Sequence, residues 1–195
     1  MVQHNFGYET AGTSSYSIGD CIRGSVFTIT EAGTADSITA SLVALGSTSQ
    51  PTKCAIYLHS DLSLKGTTEQ RTIAYTTTKT WQTFNFAAPP ALTVATAYVL
   101  VAWADVTDYQ PSMCYNAGDA NQEHRQSLAY GSFPDPLVPA HDNNKYSIYC
   151  TYTVAAAGAT VKKGSNLAST MTAMLNSKML FSIANPYPKL YQRRF

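Results

Sequence analysis

No stretch of this chain approaches the roughly 20 consecutive apolar residues that a membrane-spanning helix requires, so no membrane partner is expected. Charge is scarce as well: 13% of the 195 residues are Asp, Glu, Lys or Arg, too few for the basic surface that nucleic acid demands of a folded body. The four cysteines, Cys21, Cys54, Cys114 and Cys150, include no C-x-x-C pair, which excludes the common zinc and redox motifs. A G-x-S-x-G elbow, an H-E-x-x-H helix, a P-loop and an N-x-[ST] sequon are all missing. The opening "MVQHNFGYETAG" has neither a basic n-region nor an apolar h-region, so no signal peptide is expected in it.

A further absence is local. Beyond Asp142 there is no acidic residue, while Lys162, Lys163, Lys178, Lys189, Arg193 and Arg194 follow Gly158. The first 157 residues therefore hold all twelve acids against seven bases. A basic tail on an acidic body invites docking, on a neighbouring copy or on an acidic partner.

What the chain does have is Thr, Ser, Tyr, Val and Ala in short alternating runs. Strands are expected at 22–30, 37–45, 53–60, 69–77, 81–87, 97–104, 112–117 and 145–155, each bounded by Gly, Pro, Asp or Ser. Such spacing, with no helix between the strands, predicts an all-β antiparallel two-sheet sandwich over residues 1–157. "AYVLVAWA" (97–104) is apolar on both faces and should be a central strand covered on both sides. Cys54 and Cys150 lie on the apolar faces of their strands, where a free thiol acts as a small hydrophobe; one or two disulfides are the alternative, and spacing does not fix their pairing. "GYETAGT" and "VAAAGAT" read as small-residue tethers flanking the sandwich. Residues 118–144 form the one long irregular connection, a functional or assembly loop, or a flap closing one end of the sandwich.

The segments "IRGSVFTITEAGTADSITASL", "KCAIYLHSDLSLKGTTEQ", "WQTFNFAAPPALTVATAYVLVAWAD" and "KYSIYCTYT" together resemble a widespread jelly-roll module, over roughly residues 5–155. In that module a Y-S-D-x-x-G turn joins two strands; here it stands as "LHSDLSLKG". Relatives occur in phage structural proteins and as appended extracellular domains similar to carbohydrate-binding modules. The resemblance thus implies a jelly-roll topology and a structural or glycan-binding role, outside cells or in a virion. The tail after 158 is similar to the C-terminal anchor segments of virion or filament subunits.

Chemistry is thin. The four histidines are scattered, and their spacing offers no ligand set. "HDNN" (141–144) and the pair Asp105 and Asp108 supply oxygens but match no EF-hand, so no metal and no cofactor is assigned. No nucleophile–base or carboxylate pair can be nominated, and no catalytic residue is assigned. Thirteen tyrosines and two tryptophans keep sugar stacking open; Trp103, Tyr109, Tyr115 and Tyr130 are the candidates. Tyr57 and Tyr149 also fall on the less apolar faces of their strands.

Residues 165–181, "SNLASTMTAMLNSKMLF", carry three of the five methionines. Leu167, Met171, Met174, Leu175 and Met179 form one stripe at helical period, and Ser165 is a suitable N-cap. Asn185-Pro186 and Pro188 stop the helix, leaving an extended "NPYPKLYQRRF". So short a helix must bury its stripe. The helix either folds back onto its own sandwich or docks on another subunit; in the second case the expected assembly surface is this stripe together with Tyr187, Tyr191, Arg193 and Arg194. The reading is a non-enzymatic structural subunit that self-assembles or joins other structural subunits in a virion or filament. The alternative is a carbohydrate-binding module.

Overall fold

The computed structural model describes residues 1–44, 49–74, 76–105 and 111–154. These contain fifteen strands and no helix, in two sheets whose strand pairs are all antiparallel. One sheet is built around β4 (Gly33–Ala44). Along one edge β4 pairs with β15 (Ile148–Val154) and β11 (Pro111–Ala117), and along the other with β8 (Thr76–Asn85) and β9 (Ala91–Leu92). β1 (Val2–Gly7) extends this sheet beyond β15; β2 (Ser14–Ser17) and β14 (Asn144–Tyr146) extend it beyond β11. The other sheet runs β13 (Ala140–Asp142), β12 (Glu123–Ser127), β3 (Cys21–Thr28), β10 (Ala97–Ala104), β5 (Gln50–Leu58) and β6 (Leu64–Thr67), with β7 (Arg71–Ile73) also on β5.

Period-two alternation decides what each strand buries. In β4, Ile38, Ala40, Leu42 and Ala44 enter the core between the sheets, while Ser37, Thr39 and Ser41 take the opposite face. β10 has no polar face. Tyr98, Leu100, Ala102 and Ala104 join the inter-sheet core; Val99, Val101 and Trp103 form a second apolar cluster with Ile22, Ala55, Tyr57, Phe133 and Leu137. That cluster lies on the far side of the β10 sheet and is roofed by the 128–139 segment. The expectation for "AYVLVAWA" holds, and the roof is what covers its second face.

Three expectations are corrected. Two strands read as 69–77 and 81–87 are instead a short β7 and one continuous β8, because the β-branched Thr76–Thr80 run keeps pairing with β4. "GYETAGT" is not a loose tether: the Gly12 N–H donates to Ser147 Oγ at 2.8 Å, and that hydroxyl donates to the Thr10 carbonyl at 2.8 Å. A Cβ at Gly12 would sit 2.3 Å from the Tyr115 backbone, so only glycine permits this approach. The 118–144 connection contains β12 and β13, which extend the β10 sheet, and it roofs that sheet's face instead of one end of the sandwich. All four cysteines are free thiols, with Cys54, Cys114 and Cys150 buried. Burial pushes the Cys54 and Cys150 thiols up, so they remain protonated hydrophobes. The expected helix with Leu167, Met171, Met174, Leu175 and Met179, and the tail residues Tyr187, Tyr191, Arg193 and Arg194, lie outside the described residues.

One end of the sandwich is closed by a buried ion pair. Glu123, fully buried, accepts from Arg23 Nη1 at 2.6 Å, from the Tyr146 hydroxyl at 3.0 Å and from Asn144 Nδ2 at 2.5 Å. Arg23 Nε donates to the Ser17 carbonyl at 2.8 Å. Burial holds the Tyr146 phenol protonated, so it stays a donor. Every charge here is hydrogen-bonded, the condition under which a buried pair is tolerated.

If the 128–139 roof is core, truncating it should cost as much as truncating the inter-sheet core. Leu137→Ala and Leu100→Ala, at 2% and 0% exposure, should each lower stability by about 2–5 kcal/mol in urea denaturation. Leu137→Ala should also red-shift the emission of Trp103. A cost below about 0.5 kcal/mol for Leu137→Ala would show an ordinary surface loop.

Candidate functional site

The concave feature of interest lies where the roof meets the β5 edge. Lys53, on β5, projects its ammonium among three rings: Nζ is 4.6 Å from the Tyr130 centroid, 5.0 Å from Phe133 and 5.1 Å from Trp103. It also donates to the Gly131 carbonyl. Aromatic faces attract a cation through their quadrupole, so lysine and roof hold each other. Burial lowers the Lys53 pKa. The roof is further pinned by Tyr57 Oη donating to the Pro134 carbonyl at 2.9 Å and by the Tyr130 N–H donating to Asp20 Oδ1 at 2.9 Å. Beside this clamp opens a cleft of about 400 Å³, bounded by Lys53, Thr67, Gln70, Ser132 and Phe133.

The structure brings two of the sugar-stacking candidates together: the Trp103 and Tyr130 rings are 5.2 Å apart. Trp103, however, is fully buried. The two apolar faces of β10 call for cover on this side too, and the cover comes from residues some thirty positions later in the chain. Trp103 is therefore a core residue and presents no ring to a ligand. Tyr57 is buried for the same reason. Tyr115 stands elsewhere, stacked on Tyr16 at 4.8 Å with the rings 1° from parallel; Tyr16 is 45% exposed, and Arg23 lies 4.9 Å from its centroid. Tyr109 is outside the described residues.

An aromatic pair that sequence reasoning passed over stands on the open face of the β4 sheet. Trp81 pairs in register with Ser41, and Tyr149 with Thr39, which places both rings on the face away from the core. Their centroids are 5.5 Å apart, and Trp81 is 38% exposed. Thr39, Ser41, Thr83 and Thr151 surround them with hydroxyls, Thr39 and Thr83 bonding each other at 2.9 Å. The Ser41 hydroxyl is buried and has no hydrogen-bond partner among the described residues. A signal was available: in "WQTFNF", Trp81 has opposite parity to Phe84 and Phe86, the residues that enter the core.

Three of the four scattered histidines also meet. His124 on β12 lies edge-to-face with His141 of β13 at 4.5 Å and with His59, after β5, at 5.2 Å. His124 pairs with Gly24, where a Cβ would fall 1.8 Å from the Leu100 carbonyl oxygen; the tight backbone packing there requires glycine. Among the described residues no group of His, Cys, Asp or Glu is arranged to hold a metal ion. His124 is 1% exposed, and its Nδ1 lies 3.5 Å from the Gln122 carbonyl. Burial, then the neighbouring His141 and His59, lower its pKa to about 4.

No protein-family model and no curated protein matches the chain. Solved structures share its fold, two of them as follows. One is a clostridial cysteine protease, Cwp84, after propeptide cleavage: TM-score 0.55 and 11% identity, covering 78% of this chain and 40% of that one. The other comprises the cysteine protease and lectin-like domains of Cwp84, a surface-layer-associated protein of Clostridium difficile: TM-score 0.55 and 12% identity, covering 78% and 36%. The chain thus spans well under half the length of these structures. The likeness establishes a shared two-sheet antiparallel β-sandwich architecture.

The His124 environment sets a pH dependence. The unfolded imidazole takes its proton near 6.5, the folded one near 4. The stabilisation is therefore complete above pH 6.5 and is lost as pH falls from 6.5 towards 4, where the unfolded chain binds the extra proton. Relative to His124→Gln, the wild type should lose roughly 3 kcal/mol over that interval in denaturant melts, from 1.36 kcal/mol per pKa unit. Parallel curves for the two proteins would place the acid sensitivity elsewhere.

Proposed function

We propose that this chain is a non-catalytic glycan-binding sandwich of the jelly-roll kind. The observation that carries the reading is the exposed Trp81 beside the half-buried Tyr149, on the sheet face that turns away from the core, with the Thr83 and Thr151 hydroxyls nearby. The C–H face of a pyranose stacks on such rings, while neighbouring hydroxyls compete for its hydroxyl groups. A sheet face of this kind suits a chain of sugars lying across it. The lectin-like domain named in one neighbour, and that neighbour's association with a surface layer, support both the ligand class and an extracellular setting. The absence of a nominable nucleophile or carboxylate pair from the sequence supports binding without turnover. On a glycan array the protein should show saturable binding to a neutral polysaccharide. Trp81→Ala should weaken it by about 30-fold, the equivalent of a 2 kcal/mol hot spot. A blank array, or binding indifferent to Trp81→Ala and Tyr149→Ala alike, would reject this reading.

A second reading concerns residues 158–195 and is compatible with the first. The charge asymmetry, six bases and no acid after Gly158 against an acidic body, favours residues 158–195 as the segment that attaches the sandwich to copies of itself or to another structural subunit, in a virion or filament. Deleting 158–195 should leave a folded, soluble sandwich that no longer assembles. Met171→Asp with Leu175→Asp should do the same, since a charge cannot be buried unpaired. High salt should loosen the assembly if the tail docks on acidic surface. Light scattering reads the result, and a truncated protein of unchanged assembly mass would eliminate the idea.

A further inference from the structure

The Lys53 cleft differs in chemistry from the Trp81 face. Lys53 has three N–H donors, and one is taken by Gly131. Gln70 lines the cleft with its Oε1 already accepting from the Tyr130 hydroxyl at 2.9 Å, which leaves its amide N–H groups to donate. Ser132 and Thr67 add hydroxyls. The Trp103 indole N–H, beneath the clamp, is buried with no acceptor among the described residues. No carboxylate lines the space. Asp105 and Asp135 lie near enough to act on Tyr130 and Tyr57 respectively, and Asp135 accepts at 2.9 Å from the N–H of Leu64, a residue of the lining, so that one of its oxygens is already engaged. The cleft is thus donor-rich, carries one cation, and at about 400 Å³ has the size of a small-ligand site.

We propose that this cleft is a second subsite, one that takes the carboxylate of an acidic sugar. The carboxylate pairs with the Lys53 ammonium and accepts from Gln70, while the ring rests against Phe133. The clamp prepares Lys53 for this task. Three rings and the Gly131 carbonyl hold the ammonium in place, so little side-chain freedom is left to lose on binding. A charge-assisted bond to a partly desolvated ammonium is stronger than one in open water. The inference rests on the glycan-binding reading but concerns a different surface, so the two can fail separately.

Trp81→Ala, which also removes the neutral-sugar platform proposed above, leaves Trp103 as the lone tryptophan of the chain, its ring centroid 5.1 Å from Lys53 Nζ. This variant can be titrated with glucuronate and galacturonate oligosaccharides, and with glucose and galactose oligosaccharides as neutral controls. Trp103 emission is followed alongside calorimetry. The acidic ligands should give a saturable change and the neutral ones none. The Kd for the acidic ligand should rise at least tenfold in Lys53→Met, which keeps an apolar stem inside the clamp, and should rise with added salt. Gln70→Leu, which also removes the acceptor of the Tyr130 hydroxyl, should weaken binding several-fold while urea denaturation checks that the fold is kept. Equal affinity for neutral ligands, no heat with any acidic ligand, or unchanged affinity in both variants would overturn the proposal. Neutral polysaccharide bound by the wild type and lost in Trp81→Ala would leave the first reading standing whatever happens at Lys53.

Discussion

Much of this structure follows from one strand that has no polar side. β10 alternates as every strand does, but both of its faces are apolar, so a two-sheet sandwich satisfies only half of it. The second half must be covered by something outside the sandwich, and the chain supplies the 128–139 segment. A roof made of loop carries backbone polar groups that need partners. Tyr57, Asp20 and Lys53 provide several of them. The lysine clamp and the cleft beside it are by-products of that requirement. A hydrophobic debt on one strand has been converted into an ordered polar rim.

The Arg23–Glu123 pair solves a related problem at the β12–β14 end. There the sheets are joined by polar side chains, because Glu123 reaches Asn144 and Tyr146 of the opposite sheet. An apolar plug would supply comparable stability. The ion pair also fixes which strands meet, since a shifted register would leave a carboxylate buried alone. The histidine cluster shares β12 with this pair. That strand thus holds a carboxylate tied by hydrogen bonds to Arg23, Tyr146 and Asn144, next to an imidazole that burial keeps neutral.

The fold class was legible because period and turn chemistry are local. β3, β4, β5, β10, β11 and β15 were read nearly in place, and the two-faced character of β10 could be seen in eight letters. Short strands such as β2, β6, β9 and β13 were not legible. Each has two to four residues, and pairing across the sheet, not propensity, makes them strands. The site was less legible for the same reason. Trp103 shares its face with Val99 and Val101, whereas Trp81 shares its face with Lys79 and Thr83, so the sequence hints that one is covered and the other open. What separates them is a roof folded over one and not over the other. The histidines met only because β12 returns beside β3, a long-range event invisible to spacing.

The pairing of β1 with β15 has a mechanical side. Val2 lies opposite Val154, so the two ends of the sandwich sit one strand spacing apart on the same edge. Tension applied between those ends does not shear the sheets past one another. It peels β1 from β15 one residue pair at a time, beginning at the loaded corner, and this is the mode in which antiparallel strands yield most easily. β1 contributes Phe6 to the core, so peeling it uncovers little before the remaining strands take the load. Pulled from both ends, the domain would behave as a short extensible link that gives way first at its own hem.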